Sequence, residues 1–517
     1  MSIHALSTEL DTRVIELLNG NHKALDAMSR VSKYYRGLSE PFLYRKLKFS
    51  TNSERRIHCL FLTILSRKDL AKHIKIFKLI NCDDLENPKD NKEESYYRDL
   101  LSRMCDIRDT IETISARCVS AKVKALWLSS VFKGFPSFDG ALAIILCLAT
   151  NVETLSLSTS RQDHLPVTLW LLDVQWNQHA NLPTYPFCKV KNFSLLGGSH
   201  IPLLPSMQTI LIKEGLLYRA EKPIFLRPFH STGLQAHLRA LVLHNVGCHP
   251  RIIEKALSYP EFQTLKAFVV DGCKCPSAGY DFRRVTNALE LHIPQIEEFG
   301  WSTQENEKDD HRDLSHLPMP FKTFRNLQNL KTLRVDLELL NGKETRDLNR
   351  AMTYVLACPQ DLFPPGLQHL HITDIEMKVI DDLCEHFAKK PQDYPAALQV
   401  ITNIAASFPV KELDLSVLME TWVYDWGNGT QEWEDGPLEF LRLVADELHK
   451  IGVICRVWRQ RGHAGAPTKG IVKAGFTEPR PHWRDVSTDF WAGWCKREWG
   501  PAIGKQFTEQ EIRNSGG

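Results

Sequence analysis

The hexapeptides "LKTLRV" at Leu330–Val335 and "LQHLHI" at Leu367–Ile372 decide how this chain is read. Both have the form apolar-x-x-apolar-x-apolar. The last two apolar positions alternate with polar ones, as a strand with one buried face requires. Working outward, the form recurs at Ile74-Phe77-Leu79, Val123-Leu126-Leu128, Val152-Leu155-Leu157, Val190-Phe193-Leu195, Leu238-Leu241-Leu243, Leu265-Phe268-Val270, Ile296-Phe299-Trp301 and Val410-Leu413-Leu415, with a weaker copy at Met207-Ile210-Ile212. Clear copies are spaced 27 to 49 residues apart. Between them lie stretches of helical spacing. "IHCLFLTILSRKDLAKH" puts Ile57, Leu60, Phe61, Ile64 and Leu65 on one face, and "IDDLCEHFAK" does the same with Ile380, Leu383, Cys384 and Phe387.

A strand and a helix per unit resembles the leucine-rich repeat. No such unit buries its apolar face alone, so neighbours must stack. The expected fold is therefore α/β: an irregular leucine-rich-repeat solenoid with parallel strands inside and helices outside, over residues 51–460. Leu79…Cys82 and Val270…Cys273 match the cysteine-containing class of these repeats; most copies do not. Charged insertions such as "NCDDLENPKDNKEESYYRDL", "STQENEKDDHRDLSH" and "DWGNGTQEWEDGP" account for the long intervals and read as solvated loops. "LEFLRLVADELHKIGVICRVWRQ" reads as a helix and strand, the final repeat. Residues 461–517 are a Gly/Pro connection and a Trp-rich segment. Eight of the twelve tryptophans lie from Trp422 onward, to seal the solenoid's far end or to present an aromatic patch.

Residues 1–50 read differently. Leu10, Val14, Leu17 and Leu18 form a first helical stripe, with Thr8 near its cap and Asn19-Gly20-Asn21 at its end. Leu25, Met28, Val31, Tyr35 and Leu38 form a second helix. A third starts at a Ser39-Glu40-Pro41 corner, with Phe42, Leu43 and Leu47 facing inward. Three short helices in about fifty residues are near the lower limit for a self-sufficient core.

This segment resembles the F-box in its fungal form. The resemblance rests on Leu6-Ser7-Thr8-Glu9-Leu10, Leu17-Leu18, Leu25, Val31-Ser32-Lys33 and Pro41-Phe42-Leu43-Tyr44-Arg45-Lys46-Leu47, and covers residues 5–48. It implies a short three-helix module that docks the Skp adaptor of a cullin-based ubiquitin ligase, with Leu6, Leu10, Val14, Leu43 and Tyr44 as docking residues. The family's proline is Ser7 here, which bears on that docking. The alternative is a helical cap on the solenoid.

On the solenoid, residues flanking the inward leucines belong to the concave face. These are Lys78, Trp127, Ser156, Ser194, Val242, His244, Asp271, Arg334, Asp336, His369, His371, Thr373, Glu412 and Asp414. The C-terminal half is the more charged and mainly acidic, which suits a protein partner carrying basic residues. His369 and His371 share a face, but Thr373, next along it, is a poor third metal ligand. Cys273-Lys274-Cys275 with Cys248-His249 lacks a zinc-site spacing.

The bulk numbers narrow the function classes. The 517 residues are 43% hydrophobic and 24% charged, with a net charge of +2 from 64 basic and 62 acidic side chains. That balance gives no reason to expect nucleic acid or an anionic membrane as partner. The longest apolar run, "GALAIILCLA", is about half a membrane span, and "MSIHALSTELD" lacks the form of a signal peptide. Thirteen scattered cysteines read as reduced thiols, in a cytoplasmic or nuclear protein. Nucleophile-elbow, phosphate-loop, zincin and dinucleotide motifs are missing from the sequence. The expectation is a non-catalytic adaptor without a cofactor, with Skp adaptor, cullin and an unknown target protein as partners. The alternative is a repeat scaffold with no ligase.

Overall fold

A computed structural model describes residues 7–49, 54–80, 138–158, 187–196, 206–213, 238–273, 281–303, 323–341, 359–376, 410–419 and 446–461, with a few shorter pieces. Three helices come first: α1 (Thr8–Leu17), α2 (His22–Val31) and α3 (Lys33–Leu43). Twelve strands follow in one sheet, in chain order: β1 (Lys46–Phe49), β2 (Ile76–Leu79), β3 (Thr154–Ser158), β4 (Asn192–Leu196), β5 (Thr209–Lys213), β6 (Ala240–His244), β7 (Ala267–Cys273), β8 (Glu298–Thr303), β9 (Thr332–Asp336), β10 (His369–Glu376), β11 (Glu412–Met419) and β12 (Ile454–Arg461). The described pairings are parallel.

Helices α4 (Glu54–Ser66), α5 (Lys68–Ala71), α6 (Phe138–Leu148), α7 (Pro250–Leu257), α8 (Arg283–His292), α9 (Leu337–Asn341) and α10 (Pro359–Leu362) lie between strands. A parallel neighbour cannot be reached by a tight hairpin, so each return needs a crossover. The strand-helix alternation read from the sequence is present where these helices are described. Ten of its eleven copies fall on β2–β11; Val123-Leu126-Leu128 lies outside the described residues.

The motif is longer than its six residues. In eight of the ten described copies the first apolar residue donates its amide to the carbonyl three residues earlier: Ile74 to Ala71, Val152 to Ala149, Val190 to Phe187, Met207 to Leu204, Leu265 to Phe262, Ile296 to Ile293, Leu330 to Leu327 and Leu367 to Pro364. Ala71, Ala149, Phe187, Leu204, Phe262, Ile293 and Leu327 are all buried. These eight turns thus carry an apolar peg at position −3.

A second series lies one residue before each of β2–β11, and it appears in both compact units into which the chain divides, residues 1–265 and 266–517. In the first unit it runs Lys75, Glu153, Lys191, Gln208, Arg239; in the second, Lys266, Glu297, Lys331, Gln368, Lys411. The carbonyls of Lys75, Glu153, Lys191, Gln208, Lys266, Glu297, Lys331 and Gln368 each accept two amides from the start of the next strand, at 2.7–3.1 Å, as Glu297 does from Lys331 and Thr332. The side chains are complementary too. Lys75 and Lys191 reach Glu153 at 3.4 and 3.7 Å, and Lys266 and Lys331 reach Glu297 at 2.6 and 2.5 Å. Opposite charges on neighbouring strands favour this register.

In the first unit, the most apolar run of the chain forms α6, buried along nearly its whole length and packed on α4. Ile57, Leu60, Phe61 and Ile64 of α4 are buried as the helical spacing requires. In the second unit, Phe268, Phe299 and Trp301 meet Phe282 of the turn before α8, and Phe321 and Phe324 from the turn before β9, with ring centroids 5.2–6.3 Å apart. These aromatic groups form the core under that half of the sheet.

The helical start differs from its sequence reading in three places. The second and third helices divide at Ser32, whose hydroxyl caps α3 by accepting the Tyr35 amide at 3.2 Å. Ser39-Glu40-Pro41 is therefore no corner. It lies inside α3, where Ser39 is buried and donates to the Tyr35 carbonyl, and the helix continues past Pro41 with Tyr44 bonded back to Glu40. Leu47 belongs to no helix: residues 46–49 are β1, paired with β2. The first helix ends as expected, with Gly20 at φ 102°, a conformation glycine takes without strain.

Candidate functional site: an outward apolar stripe and two unlike sheet faces

Helix α1 is turned against its own polarity. Asp11 and Ile15 point inward and are buried, while Leu10, Val14 and Leu17, also four and three apart, point outward. Their exposures are 54%, 45% and 76%, and Val31 and Tyr34 nearby in sequence on α2 and α3 stand at 62% and 43%. The inner side explains the orientation. Asp11 accepts a hydrogen bond from the Tyr34 hydroxyl at 3.0 Å and from the Tyr35 hydroxyl at 3.3 Å. Burial pushes the Tyr35 phenol above its ordinary value, and the Asp11 carboxylate adds to that. The buried apolar side chains of the three helices are Ile15, Leu25 and Tyr35.

Ser7, which stands where the F-box pattern has proline, is the N-cap of α1 and accepts the Leu10 amide. Leu43 and Tyr44 are half-buried at the end of α3, and burial, followed by the Glu40 carboxylate, raises the Tyr44 phenol. Leu6 lies outside the described residues. The module is tied to the repeats by Arg67, which grips Glu40 through both guanidinium nitrogens at 2.6 and 2.9 Å and Asp69 at 3.0 Å. Hydrogen bonding to Glu40 and Asp69 holds the Arg67 guanidinium above its ordinary value.

The face of the sheet away from the strand leucines differs between the two units. In the second unit it is buried: Asp271, Arg334, Asp336 and His371, expected on an open surface, are at most 3% exposed, as is Ser302; Glu298 and Thr332 are buried beside them. This corrects the expectation that Asp271, Arg334, Asp336 and His371 stand on an open wall. Alternation along a strand fixes which face a residue joins, not whether that face meets water. Part of this polar set is linked laterally. Gly272, at φ 65° in an irregular stretch of β7, donates its amide to Ser302 Oγ at 2.9 Å; Ser302 donates to Asp271 Oδ1 at 2.9 Å; and Arg334 Nη2 sits 3.1 Å from the same oxygen. Thr373 is in register with Asp336, and Asp414 with His371. His369 and Glu412 are half-buried.

In the first unit the corresponding face is partly open. Lys78, Ser156, Ser194 and His244 are half-exposed, and Val242 is buried. Trp127 lies outside the described residues, as do the Trp-rich segment 462–517 and the helix expected around Ile380.

Among the described residues no helix is long and apolar enough to cross a membrane, and no three His, Cys, Asp or Glu side chains come together as a metal site. Comparison with protein-family models, curated proteins and solved structures finds no match to this chain.

Proposed function

We propose that the chain is a substrate-recognition adaptor of a cullin-based ubiquitin ligase. The helical start binds the Skp adaptor, and the repeats, read as an irregular leucine-rich-repeat solenoid, hold a target protein. The observation that carries this reading is the outward stripe Leu10, Val14 and Leu17 on α1, kept outside by an inward carboxylate. A helix that only capped the repeats would turn this stripe inward, because each buried leucine contributes about 1.5–3 kcal/mol. Exposed apolar side chains grouped on one helix mark a protein interface. The protein would break no bonds itself; it would raise the local concentration of target lysines at the ligase.

The test is co-purification of the full chain with the Skp adaptor. Wild type brings the adaptor down, and Leu10→Asp with Val14→Asp abolishes this without changing the melting temperature. Equal recovery with wild type and variant, or none with wild type, removes the ligase reading and leaves a repeat scaffold.

A further inference from the structure

The described strand residues on the open sheet face of the first unit include lysines and no carboxylate. Register places Lys48, Lys78, Ser156 and Ser194 in one row across β1–β4, and Lys46, Ile76, Thr154 and Asn192 in the row beside it. Lys213 continues the surface on β5 and is exposed. Lys48 is exposed, and Lys46 and Lys78 are half-exposed. Among the described strand residues of β1–β6 none on this face is Asp or Glu. Glu153, at the strand entries, is already held between Lys75 and Lys191.

The side chains between the lysines are hydroxyls and an amide. Asn192 Nδ2 donates to Thr154 Oγ1 at 3.3 Å, and Ser156 and Ser194 remain accessible beside them. Hydroxyl groups donate to carboxylate oxygens, and ammonium groups pair with them. The rows run across the strands. At about 4.8 Å per strand, four strands offer a track of roughly 15 Å, which is four or five residues of extended chain.

We infer that the face of β1–β4 docks an extended, acidic, unphosphorylated peptide segment of a target protein. Lys48 and Lys78 pair with its carboxylates, and Ser156 and Ser194 donate hydrogen bonds to it. This deepens the target-holding half of the proposed function and rests on the strand face being the docking surface; it does not need the Skp adaptor. It also reverses the sign of the partner expected from the sequence, because Asp271 and Asp336, two of the acidic residues that suggested a basic partner, lie buried in the second unit.

The experiment is fluorescence anisotropy with the full chain and three labelled short peptides: Asp/Glu-rich, Lys/Arg-rich and phosphoserine-rich. The Asp/Glu peptide binds, more weakly as salt is raised. Lys48→Glu with Lys78→Glu weakens it by at least about tenfold. Lys255→Glu, on the helical side, does not. Lys48→Gln with Lys78→Gln, which adds no repulsion, serves if the charge-reversed variant fails to fold. Equal or tighter binding of the Lys/Arg peptide, equal loss with Lys255→Glu, absence of binding, or binding of the phosphoserine peptide alone overturns the inference. Adaptor co-purification of the Lys48/Lys78 variants separates the two readings: loss of peptide with adaptor retained locates the effect at the sheet, and failure of the adaptor in wild type with peptide binding intact sinks only the ligase reading.

Discussion

Arg334 of β9 reaches Asp271 of β7 across the whole of β8, with Nη2 3.1 Å from Oδ1 and side-chain exposures of only 1% and 4%. Two strand spacings are about 10 Å, so the guanidinium needs a clear path over the strand between. Gly300, in register with both Val269 and Arg334, leaves that path. A Cβ built there would lie 3.2 Å from Val269 Cγ1 and 3.7 Å from Arg334 Cβ. The glycine, the arginine and the aspartate therefore act as one unit spanning three strands.

Gly300→Ala forces Val269 to shift and narrows the path of Arg334. The expected loss is about 1–3 kcal/mol, as for other insertions of a methyl group into a packed site. Urea unfolding measures it as a lowered midpoint. An unchanged midpoint would show that Val269 yields freely.

Removing one partner of this buried pair leaves the other charge uncompensated. Arg334→Met alone should cost about 3–5 kcal/mol, and Asp271→Asn in addition should recover part of that loss. A double-mutant cycle in denaturant provides the check. Strict additivity would mean the two side chains do not interact.

Glu297 gives a pH dependence. Hydrogen bonds from Lys266, and then Lys331, hold its carboxyl below the ordinary carboxylate value. A depressed folded-state value means that its stabilisation is present above the unfolded value, about 4.3, and is lost as pH falls through the folded value. Stability measured from about pH 6 down to pH 3 should therefore fall less steeply in Glu297→Gln than in wild type. Raised salt should shrink the difference, since the lysines are half-exposed. Identical slopes would contradict the bridging role.

Much of this fold was legible in the sequence because β2–β11 carry the apolar-x-x-apolar-x-apolar form, whose alternating apolar positions meet the core. The peg at −3 was missed because its occupants, from Ala71 to Phe262, vary too much in size to stand out as one class. The Lys-Glu-Lys-Gln series was missed because its members occupy the second position of the hexapeptide, which the apolar pattern leaves unspecified. At the helical start, Ser32 lies within an unbroken helical periodicity that hides the division between α2 and α3. Pro41 suggested a break that α3 passes through. The outward stripe on α1 was legible as a stripe, but its direction was not: it depends on Asp11 meeting Tyr34 and Tyr35, residues 23 and 24 positions away. The burial of Asp271, Arg334 and His371 depends likewise on three-dimensional surroundings that period-two alternation does not encode.

Asp11→Leu tests the inner side of α1. It removes an acceptor used by two tyrosine hydroxyls and lets the helix roll to bury its apolar side. The expectation is raised hydrogen-exchange protection of Leu10 and Leu17, with loss of adaptor binding. Protection and binding like those of wild type would show that Asp11 does not set the orientation.

The most direct measurement is calorimetric titration of the full chain with purified Skp adaptor at several temperatures. The account predicts a saturable one-to-one complex with a negative heat-capacity change, the signature of apolar surface leaving water, and at least about tenfold weaker binding for Leu17→Asp. Absence of a complex, or a complex whose affinity is the same with Leu17→Asp, would contradict it.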